Sequence, residues 1–93
     1  MINKELTKIR KKLDLLENLF LELIKKRTKL VNQVLLTKKF KKDIVDKKRI
    51  RIILKNIQVK SKLKKIDPKI TNKIWKSMIS AYINYEYKNF KKK

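Results

Sequence analysis

Apolar residues recur along the first third of the chain at Leu6, Ile9, Leu13, Leu16, Phe20 and Leu23, and the same stripe passes through Arg27 to Leu30 and Val34. The steps alternate between three and four, the spacing of a seam on one face of an α-helix. Asn3 is a suitable N-cap and Glu5 suits the first turn. No breaker interrupts the pattern before the polar stretch from Lys38 to Asp43. A second helical pattern follows Asp46, with Asp43 as the rival cap, and carries Ile50, Ile53, Leu54 and Ile57 before fading between Lys60 and Lys65. Asp67-Pro68 then opens a third helix, with Asp as N-cap and Pro at the first helical position. This helix runs to about Phe90, and Ile70, Ile74, Met78, Tyr82 and Tyr85 are expected on its inner side.

The expected architecture is all-α, three helices (one long, two shorter) in a single domain spanning residues 1–93. The first helix, at roughly 35 residues, is about 50 Å long. A compact domain of this chain length has a radius of gyration of about 12–13 Å, so the rod cannot be enclosed by its own chain. Its seam must pack on a second copy, which makes a homodimer the expected state. Composition agrees: there is no Gly and one Pro, Pro68, which excludes Gly-rich phosphate loops and tight hairpins.

The chain has no Cys and no His. Disulfides, thiolate nucleophiles, Ser–His relays and the usual zinc sites are thereby excluded, and no metal or cofactor is expected. No long apolar stretch suggests a signal peptide or a membrane span, so the cytoplasm is the default location. The formal net charge is +21, which raises nucleic acid as a partner. However, 25 of the 29 basic residues are Lys. Lys, Ile and Asn share A/T-rich codons, so genome base composition accounts for much of the excess. Aromatics are not interleaved with the lysines as a stacking surface requires, and nucleic acid is not the expected partner.

In a chain so rich in Lys, only Arg10, Arg27, Arg49 and Arg51 are arginine. The planar guanidinium fork recognises a carboxylate at two points, which an ammonium cannot imitate, so each Arg is a candidate site residue. Arg27 occupies a seam position, where an unmatched charge is costly and an anion must meet it. Lys38 lies eleven residues further on, about three turns, and shares that face with Val34. Glu86 is the second break in the pattern. It follows Trp75, Ile79 and Tyr82 on one stripe and is the only acid after Asp67. A carboxyl group among aromatics tends toward its neutral form unless a cation pairs with it.

The ordered set of marks resembles the type II, all-helical chorismate mutases from about Leu6 to Phe90. They are Ile9-Arg10-Lys11-Lys12-Leu13-Asp14, Lys26-Arg27 with Leu30-Val31, then Val34, Lys38 and Asp46-Lys47-Lys48-Arg49. The Ile66-Asp67-Pro68 turn, Ile74-Trp75-Lys76-Ser77-Met78-Ile79 and Tyr85-Glu86 complete them. The resemblance implies an intertwined dimer with two equivalent pockets that converts chorismate to prephenate in aromatic amino-acid biosynthesis. It implies that Arg27, and Arg10 reaching in from the partner subunit, hold the two substrate carboxylates. Lys38 and Glu86 would contact the ether oxygen, and Asp46 would sit by the ring hydroxyl. Val34, Ile79 and Ile83 would form the apolar wall, with Tyr82 and Ile50 also at the substrate. Ile50 departs from the family, which commonly has Glu there. The related isochorismate–pyruvate lyases also lack that Glu, and the segment from Tyr82 to Glu86 is similar to theirs. Lyase activity is therefore the alternative on the same fold, with a basic nucleic-acid-binding helical dimer behind it.

Overall fold

The computed structural model describes residues 3–91, and among these there are three α-helices and no strand. They are α1 (Asn3–Thr37), α2 (Lys47–Leu63) and α3 (Pro68–Asn89), with a 3-10 turn at Lys41–Asp43. The all-α expectation holds. α1 is 35 residues long, the length that the uninterrupted seam predicts. It starts with Asn3 itself, one residue earlier than an Asn3 cap would place it; helix ends vary by a residue in this way. No helix among the described residues is long and apolar enough to cross a membrane.

The chain divides into two compact units, residues 1–33 and 34–93. All described residues of the first belong to α1, so this unit is a single helix with no core of its own. Its seam residues Leu6, Ile9, Leu13, Leu16, Phe20 and Leu23 are 39–64% exposed.

The second unit is built around the α2–α3 hairpin together with the last turn of α1. Asp46 rather than Asp43 caps α2: its Oδ1 accepts from the Arg49 backbone N–H at 3.0 Å. Asp43 ends the 3-10 turn instead. Asp67 caps α3 in the same manner, accepting from the Lys69 N–H at 2.9 Å, with Pro68 in the first turn where its missing N–H costs nothing. Leu35 and Ile44 supply the buried apolar side chains among the described residues. Ile50, Ile53, Leu54 and Ile57 are half-buried, as their spacing predicts.

On α3 the expected inner face holds in part: Met78, Tyr82 and Tyr85 are half-buried. Ile70 and Ile74 are exposed, whereas Thr71, Trp75, Met78, Ile79, Tyr82 and Glu86 are buried or half-buried. A polar lock at the hairpin sets this arrangement. Ser61 and Thr71 are both buried, and their hydroxyl oxygens lie 2.6 Å apart. Each hydroxyl also has a backbone carbonyl within reach, Ile57 O at 2.6 Å from Ser61 Oγ and Pro68 O at 3.3 Å from Thr71 Oγ1, so either can donate between the two. Pairing both hydroxyls avoids the cost of an unsatisfied buried polar group and holds Thr71, not Ile70, against α2.

α2 ends in a Schellman arrangement. The Ile66 N–H reaches the Ser61 carbonyl at 2.8 Å and the Lys65 N–H reaches the Lys62 carbonyl at 3.1 Å. Lys65 adopts φ 58° to make this turn, a conformation that glycine takes without penalty and a side chain resists. Replacing Lys65 with Gly relieves the Cβ strain but adds backbone freedom to the unfolded chain. The net expectation for Lys65→Gly is a gain of about 1 kcal/mol, seen as a higher urea midpoint at an unchanged slope. A lower midpoint would contradict it.

Candidate functional site

The family resemblance singled out ten residues, and eight of them lie in the second unit: Val34, Lys38, Asp46, Ile50, Ile79, Tyr82, Ile83 and Glu86. The end of α1 delivers Val34 and, just past Thr37, Lys38. The Lys38 N–H bonds back to the Leu35 carbonyl at 3.1 Å, which fixes the backbone at the point where the chain leaves the helix. Asp46 is placed by its own capping bond, in which Oδ1 accepts from the Arg49 N–H.

Lys38, near the start of this unit, acts electrostatically on Glu86, near its end. Burial raises the Glu86 carboxyl above its ordinary value, and the Lys38 ammonium pulls it part of the way back. Desolvation outweighs the cation, so the protonated acid is favoured more than in water. A neutral carboxyl group is a hydrogen-bond donor, as is an ammonium. Tyr82 lies one turn before Glu86, and its ring meets that of Tyr85 edge to face at 6.3 Å between centroids.

Lys38 and Asp46 also line one pocket of about 600 Å³, with Lys42, Asp43, Val45 and Lys47 completing the wall. Lys42 and Lys47 were not anticipated, because nothing in a run of lysines distinguishes those that face a cavity. Lys42 rests 5.5 Å from the centre of the Phe40 ring, a cation–π contact that keeps its charge near the loop. Ile50, Ile79 and Ile83 line a separate apolar groove of about 300 Å³ between α2 and α3, together with Leu54, Lys76 and Ser80. Ile50 presents no polar group there, where a Glu would have offered a carboxylate.

The two remaining residues, Arg10 and Arg27, lie in the first unit. Arg10 is exposed and Arg27 half-buried, with its Nε buried. They are separated by 17 residues on one continuous helix, about 25 Å along its axis. Two arginines of one chain at that separation cannot both grip the same small dicarboxylate.

Among the described residues no group of three or more acidic, His or Cys side chains is arranged to hold a metal ion. The chemistry available is that of placed hydrogen-bond donors and positive charge. A family model described as chorismate mutase type II matches residues 9–87. No curated protein and no solved structure matches the chain.

Proposed function

The chain belongs to the chorismate mutase type II family, and from that premise we propose that it is a chorismate mutase, rearranging chorismate to prephenate in a cationic pocket shared between two subunits. Membership supports a chorismate mutase-type enzyme; the particular substrate, the residues and the dimer are our reading. The observation that carries it is the electrostatic reach of Lys38 to Glu86, whose carboxyl group burial shifts toward its protonated form.

The rearrangement is pericyclic and needs neither a nucleophile nor proton transfer. It needs a folded reactive conformer and stabilisation of the negative charge that grows on the ether oxygen as the C–O bond breaks. In this proposal Lys38 and protonated Glu86 donate to that oxygen, while Arg27 and the partner's Arg10 hold the carboxylates. Asp46 Oδ2 accepts from the ring hydroxyl, and Val34, Ile50, Ile79, Tyr82 and Ile83 shape the apolar wall. The exposed seam of α1 supports the dimer. A lone helix is marginal in water, and a continuous apolar stripe on it calls for a partner. The 25 Å between Arg10 and Arg27 on one chain supports sharing, since only a second copy can bring the other arginine near. We place this activity, as a single-domain homodimer without metal or cofactor, in the cytoplasm.

Glu86 makes the proposal sensitive to pH. Its carboxyl group, raised by burial, is the active form when protonated, so kcat should fall as pH rises through that value. Glu86→Gln keeps a donor at every pH, and its kcat should stay flat over the same interval. Parallel pH profiles for the two proteins would refute the role.

The absence of an acid at Ile50 favours one competing reading, elimination of pyruvate from isochorismate. A paired assay separates them: purified protein is given chorismate or isochorismate, with prephenate, salicylate and pyruvate quantified. Efficient prephenate formation supports the mutase. Efficient salicylate formation with only weak mutase activity replaces it with the lyase, and silence on both substrates rejects both.

A further inference from the structure

Of the four arginines, Arg51 has no part in the proposed reaction. It lines a groove of about 480 Å³ between α2 and the start of α3, with Lys55, Lys69, Gln58 and Asn72 around it and Leu54 in its wall. The groove collects three cations and two side-chain amides, and no acid lines it. The nearest acid in the chain is Asp67, next to the groove residue Pro68. α2 carries seven basic residues and no acidic one over 17 residues, and the Asp67 carboxylate is engaged in capping α3.

This arrangement costs stability by itself. Arg51 and Lys55 are like charges one helical turn apart, a spacing at which they repel, and Lys69 adds a third charge from the facing helix. The Gln58 and Asn72 amides can each accept from a cation through the carbonyl oxygen and donate through the NH2 group, but neither carries a neutralising charge. The α3 helix end is not the source of attraction, because the Lys69 N–H is taken by Asp67 Oδ1 and Pro68 has no N–H. What the groove fits is an anion with several charges and many acceptor oxygens. A lone carboxylate, with two oxygens, cannot serve three cations and two amides. A chain of phosphates can, and Arg51 supplies the two-point fork that phosphate favours.

We propose that the groove walled by Arg51, Lys55, Lys69, Gln58 and Asn72 is an anion-binding site for a diphosphate-bearing ligand, separate from the dicarboxylate pocket. The proposal does not rest on the rearrangement activity. Both a free diphosphate and the phosphate chain of a nucleotide have the required chemistry.

The test is a titration of the purified protein with inorganic diphosphate and, in parallel, with ADP, followed by calorimetry and by the NMR signals of the Gln58 and Asn72 side-chain amides. Saturable binding that shifts both amides is expected. Similar affinity for the two ligands assigns the phosphate chain alone, and tighter ADP binding adds a contact of its base with the apolar wall. Arg51→Gln should weaken diphosphate binding about tenfold, as loss of a charge-assisted pair does. Lys88→Gln, an exposed lysine outside the groove, should change it by less than about twofold, the margin that separates a placed contact from diffuse attraction. Lys38→Gln, which removes a donor from the proposed reaction, should leave it intact, so the two sites can fail independently. Equal losses from Arg51→Gln and Lys88→Gln would reduce the effect to general attraction by lysines and overturn the proposal. Binding of neither ligand, or binding that leaves both amides unmoved, would do the same.

Discussion

Arg27→Ala should lower kcat/KM for chorismate by about 10²–10³, the loss that follows removal of one placed charge-stabilising donor. Arg27 stands where the α1 seam would otherwise be apolar, and it is half-buried with its Nε buried. A guanidinium in such a place meets an anion in less water than a surface residue does, which strengthens the interaction. It is also written as Arg in a chain that overwhelmingly uses Lys, and the fork is what two-point carboxylate binding requires. Arg27→Lys keeps the charge and loses the fork, so its activity should lie between wild type and Arg27→Ala. The measurement is the initial rate of prephenate formation, with circular dichroism and size-exclusion chromatography showing that each variant keeps its helices and assembly. Near-normal turnover in a well-folded Arg27→Ala protein would remove Arg27 from the site.

The second large effect is recovery rather than loss. Arg10→Ala and Arg27→Ala should each be nearly inactive alone, yet a mixture should regain activity once subunits exchange. If each pocket takes Arg27 from one chain and Arg10 from the other, a mixed dimer has one pocket with both arginines and one with neither. Random exchange of equal amounts makes half the dimers mixed, so activity should return to about a quarter of wild type for a symmetric two-site dimer. Against parents reduced 10²-fold or more, that is a rise of at least about 25-fold. The prediction follows from helix geometry: 17 residues of α1 separate the two arginines by about 25 Å. Differently tagged chains, purified as mixed dimers, would establish the exchange. No recovery in those mixed dimers would exclude a shared pocket.

The division between what was legible in the sequence and what was not has physical causes. The three helices were legible because hydrophobic spacing and capping are local: the seam from Leu6 to Val34 and the Asp67-Pro68 start each depend on residues within a turn or two. Asp46 against Asp43 as the α2 cap remained open in the sequence, since both are acids ahead of the same apolar run. The backbone decided it by closing a 3-10 turn at Asp43 and directing the Arg49 N–H to Asp46. Lys65 in a left-handed conformation carried no sequence signal, because the residue that ordinarily marks such a turn is glycine and the chain has none.

By itself, then, the sequence determined an all-helical chain of one long and two shorter helices, a set of scarce arginines and a lone Glu on an aromatic stripe. These are properties of residue type and of spacing along one element. Tertiary structure alone decided that Thr71 rather than Ile70 faces α2, where a buried Ser61–Thr71 hydroxyl pair is satisfied across two helices and Ile70 and Ile74 stay outside. It alone put Lys38 within electrostatic reach of Glu86, gathered Lys42 and Lys47 around the same pocket as Asp46, and set Arg51 and Lys69 on one groove. Burial and the charges of neighbouring elements act through space, and residues nearly fifty positions apart acquire their chemistry only where the fold brings them within electrostatic reach.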